Sequence, residues 1–433
     1  MNRRMTAIWS LALLAGLSSA DNWTQWRGPN NDGICSERDL PTEWSATKNV
    51  AWKFPLPGQG GSTPAVYEKH IFLTVQDANK PGKGKRETPG NVFLLCIGTD
   101  GKEKWRRDLG PGILASITYN SEGNGASPSP STDGKLVYAF VGNGEFVAFD
   151  FAGKEVWRFN AQKRYGKFNI QFGMHSTPAL HQGRLYFQLI HSGGAWVVCV
   201  DAKDGKDVWK VARESDGTDE NEHSYASAFV WKNDKDAYLV CHGNDYATGH
   251  KLTDGKELWR LGDLNPRDEY NKYLRFVASP VCTPDLIVVP SAKNGPVVGL
   301  RPDATGKINA GDKAEQWRVA KGTPDVPCPL VADGLVYLAG EGGGLTCLDA
   351  KTGKAYYSRK PTHTHRHRAS PVLADGKLYL TARDGVVTVV KAGKEFEKVA
   401  TNELPDQIAA SPAISNGRIY LRGFTHLWAI GKE

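Results

Sequence analysis

The pentapeptide Gly153-Lys-Glu-Val-Trp157 recurs along the chain, and a sequence that repeats itself in this way has few folds open to it. Gly101-Lys-Glu-Lys-Trp105, Gly205-Lys-Asp-Val-Trp209 and Gly255-Lys-Glu-Leu-Trp259 keep the spacing, and Gly353-Lys-Ala-Tyr-Tyr357 puts a tyrosine in place of the tryptophan. Glycine reaches positive φ without steric cost, so each copy reads as a tight turn leading into a strand with a polar solvent edge and one buried aromatic. No run shows sustained 3.6-residue periodicity, which excludes a helical repeat.

A second marker divides the chain independently. Ala126-Ser-Pro128, Ala278-Ser-Pro280, Ala369-Ser-Pro371 and Ala410-Ser-Pro412 agree residue for residue. Ser62-Thr-Pro64, Ser176-Thr-Pro178 and Pro327-Cys-Pro329 are variants, and Ala226-Ser-Ala228 fills the remaining slot. The anchors stand roughly 40 to 65 residues apart, the period of four-stranded propeller blades. Proline lacks an N–H and fits the start of an inner strand. Hairpin signals follow the anchors, among them Asp133-Gly-Lys-Leu-Val-Tyr138, Asp375-Gly-Lys-Leu-Tyr-Leu380 and Asn416-Gly-Arg-Ile-Tyr-Leu421.

The sequence therefore predicts an all-β fold, an eight-bladed β-propeller of four-stranded blades spanning residues 49–433. The eighth unit stops one strand short at Trp428-Ala-Ile-Gly-Lys-Glu433, while Asn49-Val-Ala-Trp52-Lys-Phe54 is an outer strand without a blade. Val50 to Phe54 is predicted to complete the last blade, leaving the ring without a free edge. Two units depart from the pattern: the fifth carries an insertion from Ile308 to Ala314 before Trp317, and the seventh has the region of Phe396 in place of a tryptophan.

Residues 1–20 read as a cleaved signal peptide, with Arg3 and Arg4 before the apolar run Ile8 to Leu17 and small residues ahead of Asp21. The run is too short to span a bilayer, and no later stretch reaches the length of a transmembrane helix. No cysteine follows directly, the first being Cys35, so a periplasmic or secreted protein without a lipid anchor is expected. Residues 21–48, with Trp23, Trp26 and Trp44, read as an N-terminal strap. The formal charge of +7 is spread along the chain, which argues against nucleic acid as a partner. Cys96, Cys199 and Cys347 occupy equivalent apolar repeat positions and read as buried thiols rather than bridges.

The repeats resemble the pyrroloquinoline-quinone (PQQ) type propeller family, and Leu348-Asp-Ala-Lys-Thr-Gly-Lys354 matches its pattern especially well. Two branches are similar in blade motif. In the quinoprotein alcohol and glucose dehydrogenases the resemblance implies PQQ with calcium as cofactor. In the outer-membrane barrel assembly machinery it implies a non-catalytic propeller. The opening Trp23-Thr-Gln-Trp-Arg-Gly-Pro-Asn-Asn-Asp-Gly33 resembles exported PQQ-like propellers of planctomycete-type bacteria.

Loops joining one blade's outer strand to the next blade's inner strand share a face with the loops joining second and third strands. The interblade loops are long and polar, and ligands are expected there. Just before the anchors stand His175, His223, Arg275, His367, Arg368 and Gln407, whose imidazole and guanidinium groups suit a small anionic ligand. His363, His365 and His367 alternate on an extended segment and would share a face toward a zinc or copper ion, although Arg366 and Arg368 oppose a cation. Lys80, Lys83, Lys85 and Arg86 form a basic Gly/Pro loop that reads as solvated, and Gly340-Glu-Gly-Gly-Gly344 is not a phosphate loop because no helix follows.

Three functions are weighed. The first is a non-catalytic cell-envelope scaffold binding a protein partner or a small anion, as a monomer and with no resident cofactor. The second is a PQQ/calcium-dependent dehydrogenase. The third is a polysaccharide hydrolase or lyase, resting on Tyr165, Tyr270 and Tyr273 in the loops.

Overall fold

A computed structural model describes residues 22–81, 87–113 and 124–432. The expected leader lies outside these residues, as do Lys83, Lys85 and Arg86 of the basic loop.

Strands pair in eight antiparallel four-stranded blades. Blade 1 runs from Ala65–Tyr67 to Glu103–Pro111, blade 2 from Ser131–Thr132 to Glu155–Asn160, blade 3 from Ala179–His181 to Asp207–Ala212 and blade 4 from Phe229–Lys232 to Glu257–Leu261. Blades 5, 6 and 7 begin at Val281–Thr283, Leu330–Ala332 and Val372–Ala374, and end at Glu315–Val319, Ala355–Pro361 and Lys398–Glu403. Blade 8 joins Ala413–Ser415, Arg418–Arg422 and His426–Ile430 to the outer strand Val50–Pro55, which pairs antiparallel with His426–Ile430. The sequence prediction for ring closure holds. The hydrophobic core is divided among the blade interfaces, as the cluster joining Tyr138, Phe146 and Trp157 of blade 2 to Leu185, Phe187 and Val198 of blade 3 illustrates.

The repeated pentapeptide works across interfaces. Nε1 of Trp52, Trp105, Trp157, Trp209 and Trp317 donates to the carbonyl of Thr99, Phe151, Ala202, Leu252 and Ala350 in the next blade, at 2.7–2.9 Å. Those acceptors lie in the turns that carry Gly101, Gly153, Gly205, Gly255 and Gly353, all at φ between 68° and 79°. A Cβ on any of the five would come within 2.6–2.9 Å of the same indole. The glycine is thus required twice, by its dihedral and by the ring lying on it. Trp and Gly of one motif serve opposite interfaces.

Three slots differ. In blade 4 the segment leading into that insertion adds a fifth strand, Gly306–Ile308, parallel to Glu257–Leu261, and it covers Trp259. Trp231 takes over the staple, donating to the Thr283 carbonyl at 2.9 Å. Phe396 packs edge-on against Tyr357 of blade 6 at 5.8 Å, so it does not replace the tryptophan of its own unit, as the sequence reading had it. Trp44 of the strap fills that place: it is buried, its N–H donates to Asn402 of blade 7 at 2.7 Å, and its ring stacks on Tyr379 at 6.3 Å.

A girdle of side chains ties the inner ends of the blades. Backbone N–H groups of Thr63, Ser129, Thr177, Ser227, Ser279, Cys328 and Ser370 donate to the side chain of the next blade's residue, Ser129 Oγ, Thr177 Oγ1, Ser227 Oγ, Ser279 Oγ, Cys328 Sγ, Ser370 Oγ and Ser411 Oγ. The bonds run 2.8–3.2 Å, and Thr63 Oγ1 closes the circle by donating to the Ser411 carbonyl at 3.2 Å. This register corrects one anchor: in blade 2 the girdle residue is Ser129, before Pro130, and Ala126-Ser-Pro128 lies in the loop ahead of it. Two overlapping Ser-Pro pairs made the sequence ambiguous there.

The strap crosses the face opposite the interblade loops. Val66 N–H donates to Trp23 O in blade 1, Thr132 N–H to Thr24 O in blade 2, and Gln25 exchanges hydrogen bonds with Leu180 in blade 3. Trp26 meets Phe229 of blade 4 at 5.8 Å, and Arg27 Nη2 donates to the Pro329 carbonyl of blade 6 at 2.9 Å. Ile34–Cys35 pairs in parallel with Val372–Ala374 in blade 7, and Glu37 accepts from the Asn416 and Gly417 N–H groups of blade 8. The strap thus bridges blades all round the ring on that side, and its Trp26 lines the central cavity. No two of the seven cysteines form a disulfide, and burial raises the thiols of Cys96 and Cys199 to about 12.

Candidate functional site at the channel mouth

On the interblade-loop face the channel opens into a cavity of about 550 Å³ whose lining reaches down to Trp26 of the strap. Its walls differ in character. Blades 2 to 4 contribute Asn124, Ser127, Phe172, His175 and Tyr225, while the side toward blades 5 to 7 carries Arg275, Lys293, Asp325, Glu341, Arg366, Arg368 and Arg383.

The charged wall is built from two kinds of loop. Asp325, Arg366 and Arg368 come from the interblade segments entering blades 6 and 7, whereas Lys293, Glu341 and Arg383 come from the turns between second and third strands of blades 5, 6 and 7. Glu341 lies at the centre: Lys293 Nζ stands 2.9 Å from Oε2, Arg368 Nη1 3.0 Å and Arg366 Nε 3.5 Å from Oε1. Asp325 shares two of these partners, with Arg368 at 3.7 Å and Lys293 at 3.9 Å. Burial, followed by the Glu341 carboxylate, raises the Asp325 carboxyl above its ordinary range. Burial also opposes ionisation of Glu341, but Lys293 and Arg368 bring its carboxyl below the ordinary value. Within the pair, Glu341 carries the charge and Asp325 takes up a proton first. Lys293, Arg366, Arg368 and Arg383 against Asp325 and Glu341 give the lining of this wall more cationic than anionic side chains.

Where the two walls meet, the Arg275 guanidinium lies 4.8 Å from the centre of the Phe172 ring and 3.3 Å from Glu220. Tyr225, in the core of the neutral wall, meets both Phe172 and His175 with ring centres 5.8 Å apart. The His175 ring donates from Nε2 to the Phe172 carbonyl at 2.8 Å.

Of the six residues expected to converge, His175, Arg275 and Arg368 line the cavity and the other three do not. His223 sits behind the wall with Nε2 3.3 Å from Ser192 Oγ, and burial lowers its basicity. His367 is buried, its Nδ1 bonded to the His365 carbonyl at 2.9 Å. Gln407 is exposed on the rim, its carbonyl accepting from Phe424 N–H. Sequence reasoning missed Lys293, Glu341 and Arg383, although the turns between second and third strands open on this face; their place in the hairpins was the available signal.

The three clustered histidines do not share a face. His363 Nε2 and His365 Nδ1 reach Asp384 at 2.8 and 3.8 Å, while His367 turns inward. The segment is pinned by His367 N–H to Glu341 O and by Arg383 N–H to Arg366 O, which breaks the extended alternation. Among the described residues no group of three or more His, Cys, Asp or Glu side chains is placed to hold a metal ion. The expected row of loop tyrosines is also broken up: Tyr165 is buried, Tyr270 donates to Asp245 at 2.8 Å, and Tyr273 alone is largely exposed, at 61 %.

The quinoprotein resemblance implies a calcium ion at the mouth. Calcium takes six to eight oxygen ligands. Here both carboxylates face Lys293 and Arg368, and Asn124 turns its side-chain oxygen to the Ala126 N–H at 2.9 Å. These residues do not fit the ion.

Comparison with known proteins agrees with the fold. The structure of BamB from Moraxella catarrhalis superposes with a TM-score of 0.60 at 11 % identity, covering 88 % of this chain and 99 % of that one. The quinohemoprotein alcohol dehydrogenase of Comamonas testosteroni gives 0.69 at 14 %, covering 95 % and 81 %, and a europium-containing methanol dehydrogenase gives 0.66 at 12 %, covering 94 % and 90 %. No curated protein matches. The family described as outer membrane protein assembly factor BamB matches residues 94–307 and 304–395, and the chain belongs to this family of PQQ-like propellers.

Proposed function

We propose that this protein is a non-catalytic propeller of the cell envelope, acting as a binding scaffold whose channel mouth receives an anionic ligand. One observation carries the reading: four cationic side chains, Lys293, Arg366, Arg368 and Arg383, gather around two carboxylates in a cavity backed by Trp26 of the strap, with the Arg275–Glu220 pair beside them. A ligand enters from the mouth and meets the strap behind, which is the geometry of a receptor rather than a conduit. The cavity is of small-molecule size, and burial strengthens its electrostatics. Membership of the BamB family supports a role in protein contact for the loops around the mouth, and the signal peptide expected from the sequence of residues 1–20 supports export.

The test is a calorimetric titration of the mature protein with inorganic phosphate, citrate and pyrroloquinoline quinone, each with and without calcium. Calcium-independent binding of anions, weakened at least tenfold in an Arg275→Ala/Arg368→Ala double variant, is expected. Quinone binding that requires calcium, with dye-coupled alcohol or sugar oxidation, would make the protein a dehydrogenase instead.

A further inference from the structure

We propose that the girdle at the floor of the mouth is an oxyanion seat, a ring of hydroxyl donors on the propeller axis that takes the phosphate, sulfate or carboxylate head of a small molecule. The inference rests on the anion-receptor reading and names the atoms that grip the charge.

It follows from counting donors and acceptors. A serine or threonine hydroxyl has one proton to donate and two lone pairs. In the girdle one lone pair of Ser129, Thr177, Ser227, Ser370 and Ser411 is taken by a backbone N–H of the preceding blade. That bond fixes the oxygen in place. None of these five hydroxyls donates to an acceptor among the described residues, and all five line the cavity. They are only 3–6 % exposed, so the protons face the cavity or nothing.

The main-chain amides that would otherwise compete for a ligand are consumed by the girdle, so the floor presents O–H groups from five blades around one axis. Above them stand Arg275 and Arg368, with Arg366, Arg383 and Lys293 farther round. Neutral donors below and positive charge above suit a compact anion with several lone pairs and would not hold a cation. Phe172 and Tyr225 leave one wall for the body of a molecule attached to that head. Cys328 interrupts the ring with a thiol, a weaker donor.

The thiol supplies the cleanest test. Cys328→Ser matches the residue found at most other girdle positions and adds a donor, so selenate, a scattering mimic of sulfate and phosphate, should bind about threefold tighter or better. Thr177→Val removes a donor and should weaken selenate about tenfold, while Thr177→Ser retains it. Anomalous scattering from the selenate-soaked protein should place selenium against the girdle, within hydrogen-bond reach of the Ser370 hydroxyl beside position 328. Glucose 6-phosphate tighter than phosphate assigns the seat to a phosphorylated ligand, and the reverse assigns it to the free ion; both support the seat. Selenium found only at the rim beside Arg366 and Arg383, with Cys328→Ser unchanged, overturns the seat and leaves the receptor reading intact. No anion binding at all overturns both.

Discussion

On the strap face side chains mostly meet main chain: Arg27 reaches the Asp32 and Pro329 carbonyls, Gln25 the Leu180 backbone, and Glu37 two amides of blade 8. On the mouth face side chains meet one another, in the Lys293, Asp325, Glu341, Arg366 and Arg368 cluster. Main-chain partners are present whatever the sequence, so the first kind of contact fixes geometry. Clustered side-chain charges can exchange partners, so the second kind of contact can be shared with a ligand. One face holds the ring and the other serves it.

The largest effect should come from the strap. Trp44→Ala empties the slot that blade 7 leaves unfilled, at a cost of about 3–5 kcal/mol, read from urea unfolding as a lower midpoint. A cost under about 1 kcal/mol would mean that the strap lies on the ring without holding it.

Acid should act on the blades behind the neutral wall. Burial lowers His191 and His250 to about 4 and His242 to about 3, so each is neutral in the fold at pH 7. The unfolded chain binds these protons near pH 6.5 and the folded one does not. Stability is therefore complete above pH 6.5 and falls as pH drops toward 4, by about 1.4 kcal/mol per unit for each group at most. Melting temperatures between pH 7.5 and 4.5 check the slope, and His242→Phe, which keeps a ring against Phe276, should flatten it.

The smallest effect on stability belongs to the mouth. Asp325→Asn imitates the protonated acid and leaves Glu341 to Lys293 and Arg368, so unfolding should shift by less than about 1 kcal/mol. The wall loses a negative charge, and phosphate should bind severalfold tighter. Weaker binding would mean that Asp325 orients Arg368 rather than opposing the ligand.

The contrast between faces also explains what was legible in the sequence. Gly153 and Trp157 were readable because the same interface recurs at every blade and demands the same two residues. Val50 to Phe54 was readable because a ring counts its strands. Trp44 was not assigned to blade 7, because a packing partner more than 300 residues away leaves no local pattern. The mouth was half legible: Arg275 and Arg368 precede the anchors, whereas Glu341 sits in a glycine-rich hairpin whose position on the charged wall only the ring reveals. The three histidines near residue 365 do not keep to one face, because alternation assumes an extended strand and hydrogen bonds with Glu341 and Arg383 bend the segment.

Hydrogen–deuterium exchange with and without saturating phosphate tests the central claim, that binding is confined to an open mouth over a strapped far face. The account predicts added protection in residues 172–177, 323–328 and 362–370 and no change in residues 22–35. Protection of the strap, with the mouth loops unchanged, would contradict it.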